Sequence, residues 1–177
     1  MRVLVVVDAQ EDFITGSLGF EEAIKVLPYV VGKIQTYKRT DLIIATMDTH
    51  AENYLETQEG KFLPVKHCVY NDDGWYFHED IGDVLCNRTF DVVMKNTFGS
   101  KELPYFINNQ GLGRKIESIE LVGYVLDICV ISNAILLKAF FPEIPITVDT
   151  NCCAATSLEA REAAKTILRS CQIGVIE

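Results

Sequence analysis

A thiol, a carboxylate and an amine, at Cys129, Asp8 and Lys95, are the side chains in this sequence best placed to do covalent chemistry. Cys129 follows Gly-Tyr-Val-Leu-Asp-Ile and opens an apolar stretch, Cys-Val-Ile-Ser-Asn-Ala-Ile-Leu-Leu, that reads as a helix. A thiol at a helix N-terminus feels the positive end of the backbone dipole, which lowers its pKa and favours the nucleophilic thiolate. Unpaired N–H groups at the same end could stabilise the oxyanion formed by attack on a carbonyl. Asp8 could accept the thiol proton, and Lys95 could balance the resulting negative charge. Plainer roles also suit these residues: a buried core thiol, a loop-capping aspartate and a solvated lysine. The histidines are His50, His67 and His78, so a Cys–His–Asn arrangement has no partner in the C-terminal half.

Asp48, His50 and His67 form a second set, one carboxylate and two imidazoles. Asp48 and His50 point the same way if a strand continues through them, because side chains alternate. That donor set suits Zn²⁺, with Fe²⁺ or Mn²⁺ as alternatives, and leaves positions open for water or substrate. An aspartate and two histidines in a loop are also a common hydrogen-bonding set.

Short apolar runs deliver these residues. Val3–Val7 leads into Asp8, Leu42–Met47 into Asp48, Val92–Met94 into Lys95, Ile119–Val122 into Gly123, and Ile144–Val148 into Asp149. Continuous Val/Ile/Leu runs of this length read as strands buried on both faces, as in a parallel sheet. Helical patterns lie between them, over Glu21–Lys38, Leu103–Gln110, Cys129–Phe140 and Leu158–Arg169. Thr156 and Ser157 supply N-cap chemistry for the last of these. Alternating strand and helix predicts a doubly wound, Rossmann-like α/β sheet with right-handed crossovers. Ligands bind such sheets beyond the carboxyl ends of the strands, which is where Asp8, Asp48 and Lys95 fall. The polar stretch from Asp48 to Asp80 breaks the rhythm and holds all three histidines, which favours function there.

The 177 residues suit one domain spanning positions 1–177, and the apolar and charged fractions are those of a water-soluble protein. A net charge of −9 with no Lys/Arg cluster argues against nucleic acid as a partner. Val3–Val7 is too short for a signal-peptide core, and Leu121–Phe141 is broken by Asp127, Asn133 and Lys138, so no membrane partner is expected and the location reads as cytoplasmic. Six cysteines without a CxxC pair read mainly as buried thiols in that setting.

Three segments, in order, resemble the isochorismatase-like cysteine hydrolases. Asp8-Ala-Gln-Glu-Asp-Phe13 looks like the opening D-x-Q-x-D-F signature of that family. Met94-Lys95 with Thr97-Phe98-Gly99-Ser100 resembles its lysine strand and loop, and Gly123-Tyr-Val-Leu-Asp-Ile-Cys129-Val its G-x-x-x-D-x-C-V nucleophile segment. The resemblance implies a three-layer α/β/α sandwich, an Asp8–Lys95–Cys129 triad, and a cis peptide near Tyr124–Val125 that lets the amides of Val125 and Cys129 form the oxyanion hole. Asp-x-His with Pro64-Val-Lys-His67-Cys68 is similar to the metal site of the nicotinamidase branch, which implies a divalent metal, Zn first, on Asp48, His50 and His67. Glu59 is a possible further ligand. The implied activity is amide hydrolysis, nicotinamide to nicotinate plus ammonia first, on a small-molecule substrate, by a homo-oligomer. Leu63 stands where that branch usually has an aromatic, and Val125-Leu126 where it has a small pair, so Phe13 and Trp75 are the expected ring contacts. The rivals are a related hydrolase of another small amide, ureide or enol ether, and a non-catalytic binding module.

Overall fold

The computed structural model describes residues 1–111 and 113–177. The apolar runs become strands: β1 (Arg2–Val7), β2 (Leu42–Asp48), β3 (Asp91–Lys95), β4 (Ser118–Gly123), β5 (Ile146–Cys153) and β6 (Gly174–Ile176). They form one parallel sheet in the order β3-β2-β1-β4-β5-β6. The helices are α1 (Glu11–Ile14), α2 (Glu21–Thr36), α3 (Gln58–Phe62), α4 (Glu79–Cys86), α5 (Glu102–Gln110), α6 (Ile131–Phe140) and α7 (Leu158–Ser170).

Val3 to Val7 are all fully buried because β1 sits mid-sheet with helices on both faces. Val3, Val5 and Val7 pack into a core with Leu103 and Ile107 of α5, Leu137 of α6 and Leu168 of α7. Leu4 and Val6 pack into the opposite core with Val26, Val30 and Ile34 of α2 and Leu85 of α4. The strand period of two thus feeds two apolar layers, each fully buried aliphatic side chain contributing roughly 1.5–3 kcal/mol. The result is the three-layer, doubly wound architecture expected from the sequence. Among the described residues no helix is long and apolar enough to cross a membrane.

Several local expectations are corrected. β3 is an edge strand that exposes Val92 and Met94, so it is not buried on both faces. β5 begins at Ile146 and runs to Cys153, which places Asp149 inside the strand, ion-paired at 2.7 Å to Lys33 of α2. A helical turn of π type, Leu126–Val130, precedes α6, so Cys129 does not open the helix but lies in the turn ahead of it. The segment after Asp48 contains α3 and the start of α4 rather than unbroken loop. Ser157 caps α7 by accepting from the Ala160 amide at 3.0 Å, while Thr156 is used elsewhere.

Candidate active site

Strand order reverses between β1 and β4, and the crevice at their carboxyl ends is where a doubly wound sheet binds ligands. Asp8 follows β1 in the left-handed region, with φ of 48°, and is completely buried. Thr46 of β2 donates its hydroxyl to Asp8 Oδ1 at 2.6 Å. Lys95 ends β3 in register with Asp48 at the end of β2. Because β2 separates β3 from β1, only a side chain as long as lysine reaches Asp8 from there. Its Nζ lies 2.7 Å from Asp8 Oδ2, 3.5 Å from Asp48 Oδ1 and 3.9 Å from Cys129 Sγ. The structure therefore brings Asp8, Lys95 and Cys129 together, all buried. Lys95 and Asp8 form a buried ion pair.

Cys129 is held from several sides. Gly123 has φ of 122°, and a Cβ there would lie 2.1 Å from the Val7 carbonyl, so only glycine lets β4 turn so close to β1. The Tyr124–Val125 peptide is cis, as the resemblance implied. The Leu126 amide donates to Ala154 O at 2.7 Å. Asp127 accepts from the Thr156 amide at 2.9 Å and the Thr156 hydroxyl at 2.5 Å. Asn133 donates to Cys129 O at 2.8 Å while its Oδ1 accepts from the Ser100 amide at 2.9 Å.

Burial overrides the helix dipole at the thiol. Its pKa is pushed well above the ordinary value by desolvation, opposed by Lys95 and reinforced by Asp8 and Asp48. The lowered value expected from the helix end is thus corrected: a thiolate forms here only if the proton has a neighbouring acceptor. Asp8 suits that task. Burial raises its pKa, Lys95 pulls it down and Asp48 pushes it up, leaving a carboxylate of increased proton affinity. Burial would discharge Lys95, but Asp8, Cys129 and Asp48 outweigh it and keep the amine charged.

Beside the thiol, Asp48, His50, Glu59 and His67 point their donor atoms at one spot, all within 4.8 Å of one another. His50 Nε2 and His67 Nε2 lie 3.0 and 3.5 Å from Asp48 Oδ2, and each 3.7 Å from Glu59 Oε1. Four ligands bound at about 2.0–2.2 Å in a tetrahedron stand roughly 3.3–3.6 Å apart, so this spacing fits a divalent ion. His67 Nδ1 pairs with Val65 O at 2.9 Å, which directs Nε2 to the site, as a carbonyl bonded to the other ring nitrogen does for metal-binding histidines. Glu59, which sequence reasoning named only as possible, is brought in by α3.

A cavity of 370 Å³ opens over the thiol, walled by Phe13, Leu18, Phe20, Phe98, Val125 and Ile128, with Asp48, Glu59 and His67 on one side. Phe13 is where it was expected, edge-on to His67 at 5.7 Å. Trp75 is a correction: it does not line the cavity, because its indole N–H donates to Thr49 Oγ1 at 2.9 Å and its ring packs between Tyr70 and Tyr76. His78 caps α4. Sequence reasoning passed over three supports. Gln10 donates to Asp48 O at 2.9 Å and accepts the Asp48 amide at 2.7 Å. Asp12 accepts the Cys68 amide at 2.7 Å, next to His67. Tyr54 packs edge-on to His50 and His67 at 4.7 and 4.9 Å. Gln10 and Asp12 stand in the D-x-Q-x-D-F segment, a signal that was legible; Tyr54 carried none.

The family model described as "Isochorismatase domain" matches residues 2–177. None of the curated proteins matches the chain in sequence. Among solved structures, a pyrazinamidase/nicotinamidase from Streptococcus mutans has a TM-score of 0.86 at 21% identity, covering 99% of this chain and 100% of that one. A pyrazinamidase of Pyrococcus horikoshii in complex with zinc has a TM-score of 0.79 at 24% identity, covering 99% and 98%. An N-carbamoylsarcosine amidase from Thermoplasma acidophilum has a TM-score of 0.77 at 22% identity, covering 99% and 95%. At these identities the likeness concerns the fold.

Proposed function

The chain belongs to the isochorismatase family, and from that premise we propose that it is a cysteine-dependent amidohydrolase of a small amide, with nicotinamide to nicotinate plus ammonia as the leading reaction. The observation that carries this reading is the buried contact of Lys95 with Asp8 and with Cys129, the last of which lines a largely apolar cavity. Asp8 takes the proton of Cys129 as the sulfur attacks the amide carbon. The oxyanion so formed is stabilised by the amides of Val125 and Cys129. Asp8 returns the proton to the leaving nitrogen, ammonia departs and a thioester on Cys129 remains. Asp8 then deprotonates a water that attacks the thioester, releasing the acid and the thiol. Lys95 stays charged throughout and balances each anion in turn. A divalent ion held by Asp48, His50, His67 and Glu59, zinc first and iron or manganese as alternatives, would supply a Lewis acid for a ring nitrogen at the cavity wall.

The N-carbamoylsarcosine amidase neighbour raises a ureide as a second substrate class. Among the described residues no Lys or Arg lines the cavity, while Asp48 and Glu59 do. An anionic substrate would meet no counter-charge except an ion already neutralised by two carboxylates, which favours the uncharged amide. A non-catalytic role is the weaker reading, because three buried ionisable groups are expensive to keep without use.

Turnover of nicotinamide by the purified protein tests the proposal. Cys129→Ala should lower kcat by at least about 10⁴-fold, as removal of a covalent nucleophile does, with the thermal midpoint preserved. Full turnover by that variant would sink the nucleophile assignment. Stopping the reaction in acid should show an acyl adduct on Cys129 by mass spectrometry.

A further inference from the structure

The cavity over Cys129 does not end where a bare ring carboxamide would. Glu59, Leu63, Phe98 and Ile128 line it, and the same four residues also line an open groove that continues past Phe62 and Thr97. Phe62 is 84% exposed, Phe98 49% and Leu63 38%. Scattered apolar side chains on a surface are ordinary, but three large ones gathered at the mouth of a catalytic cavity mark a surface that something covers. The cavity's 370 Å³ already falls in the range of roughly 300–1,000 Å³ that holds drug-sized ligands.

The chemistry of the covering group can be read from the walls. Among the described residues neither lining includes a lysine or arginine, and Glu59 stands at the junction, so an anionic tail is disfavoured. α3 supplies both Glu59, beside the histidines, and Phe62, at the outer end of the groove. A molecule whose ring sits against the histidine wall would therefore have its far edge directed along Leu63 and Ile128 toward Phe62. Continuity with the catalytic cavity makes the substrate itself the occupant.

We propose that the preferred substrate is an uncharged ring carboxamide bearing an apolar substituent on the edge remote from the thiol, seated on Leu63, Phe98 and Ile128 and covered by Phe62. This rests on the amidase reading and adds the shape of the substrate to it.

The experiment compares nicotinamide with pyridine-3-carboxamides carrying methyl, propyl and phenyl substituents, using the zinc-loaded protein. Binding of the same series to Cys129→Ala by calorimetry gives a readout independent of turnover. Each methylene buried should raise kcat/KM by about 4-fold, mainly through KM, with a parallel gain in affinity. Phe62→Asp should bring the ratio of substituted to unsubstituted amide toward one, and a ratio is insensitive to partial loss of active protein. Equal or lower kcat/KM for the substituted amides in the parent protein overturns the inference and leaves the amidase reading standing. Failure to hydrolyse or bind any member overturns both. A dimer that dissociates in Phe62→Asp, with no substituent preference, assigns the groove to a second copy of the chain and also overturns the inference.

Discussion

Lys95 has two partners whose demands differ: Asp8 needs a counter-ion, and in the proposed reaction Cys129 would need one only as a thiolate. Replacing Lys95 by Met keeps the volume but strands a buried carboxylate, a change that typically costs about 3–5 kcal/mol. Lys95 is the strongest influence lowering the Asp8 pKa, so its loss lets burial raise that value further. A carboxylate whose folded pKa lies above its ordinary 3.8 is favoured in its neutral form by folding. The deficit of Lys95→Met should therefore be small near pH 4 and grow as pH rises through the folded pKa. Urea unfolding at pH 5 and pH 8 checks this, and a deficit independent of pH would argue that Asp8 does not carry the charge. The thiols make a second contrast. Cys86 is exposed, whereas Cys152 is buried with its pKa pushed up to about 12 by desolvation and Asp149. A limiting thiol reagent should label Cys86 first and leave Cys152 and fully buried Cys153 until unfolding, as peptide mapping would show.

At the scale of elements, the site depends on turns whose geometry tolerates little change. Gly123→Ala would drive a methyl into the Val7 carbonyl at a positive φ. The strained dihedral alone is worth about 1–3 kcal/mol, before the clash is counted. A fall in the denaturation midpoint, with activity lost in parallel, is the expected result. The bond pair between Asp127 and Thr156 ties the Cys129 turn to the loop before α7. Thr156→Val removes the hydroxyl bond on an exposed residue, so the stability loss should stay within about 0.5–1.5 kcal/mol, while kcat falls more than KM rises. The histidine segment is tied to the sheet edge by a few hydrogen bonds, among them those of Gln10 to Asp48 O and Trp75 O and that of the Cys68 amide to Asp12. An ion at the four-donor site would cross-link it, and at a hundredfold excess over Kd such binding adds about 2.7 kcal/mol. Chelation should lower the melting temperature and speed proteolysis between residues 49 and 78. His67→Ala should abolish both the metal content and the effect of chelator. A metal-free protein equally stable in chelator would contradict the site.

Across the whole molecule, a parallel sheet with its order reversed at β1 and β4 gathers side chains that are far apart in sequence. Asp8 and Cys129 follow the two strands at the reversal, and Asp48 and Lys95 end the next two outward. The chain carries a net charge of −9, and among the described residues the cavity is lined by apolar side chains with Asp48 and Glu59 and by no lysine or arginine. That balance predicts discrimination by charge: acidic amides should show kcat/KM at least 10-fold below neutral ones of equal size, a gap of about 1.4 kcal/mol, and the gap should narrow in high salt as screening weakens repulsion. Parity between them at low salt would remove the charge argument.

Much of this was legible in residue type and order. Apolar runs followed by Asp8, Asp48 and Gly123 specify a parallel sheet and the residues at its carboxyl edge, because strand burial on both faces leaves its mark on every position, whereas the run before Lys95 gave the strand but not its place at the sheet edge. The segment leading to Cys129 and the Asp-x-His pattern were local and could be read directly. What the tertiary structure decided were matters of distance and desolvation. Trp75 looked like a ring contact until its N–H found Thr49, and Glu59 became a full member of the donor cluster only because α3 folds back on His50 and His67. The thiol pKa was misjudged from the helix end because burial, which depends on every layer around Cys129, outweighs a dipole that acts over one turn. The groove beyond Leu63 likewise exists only where α3 meets the loop carrying Phe98, a meeting set by the whole sheet and by no stretch of sequence alone.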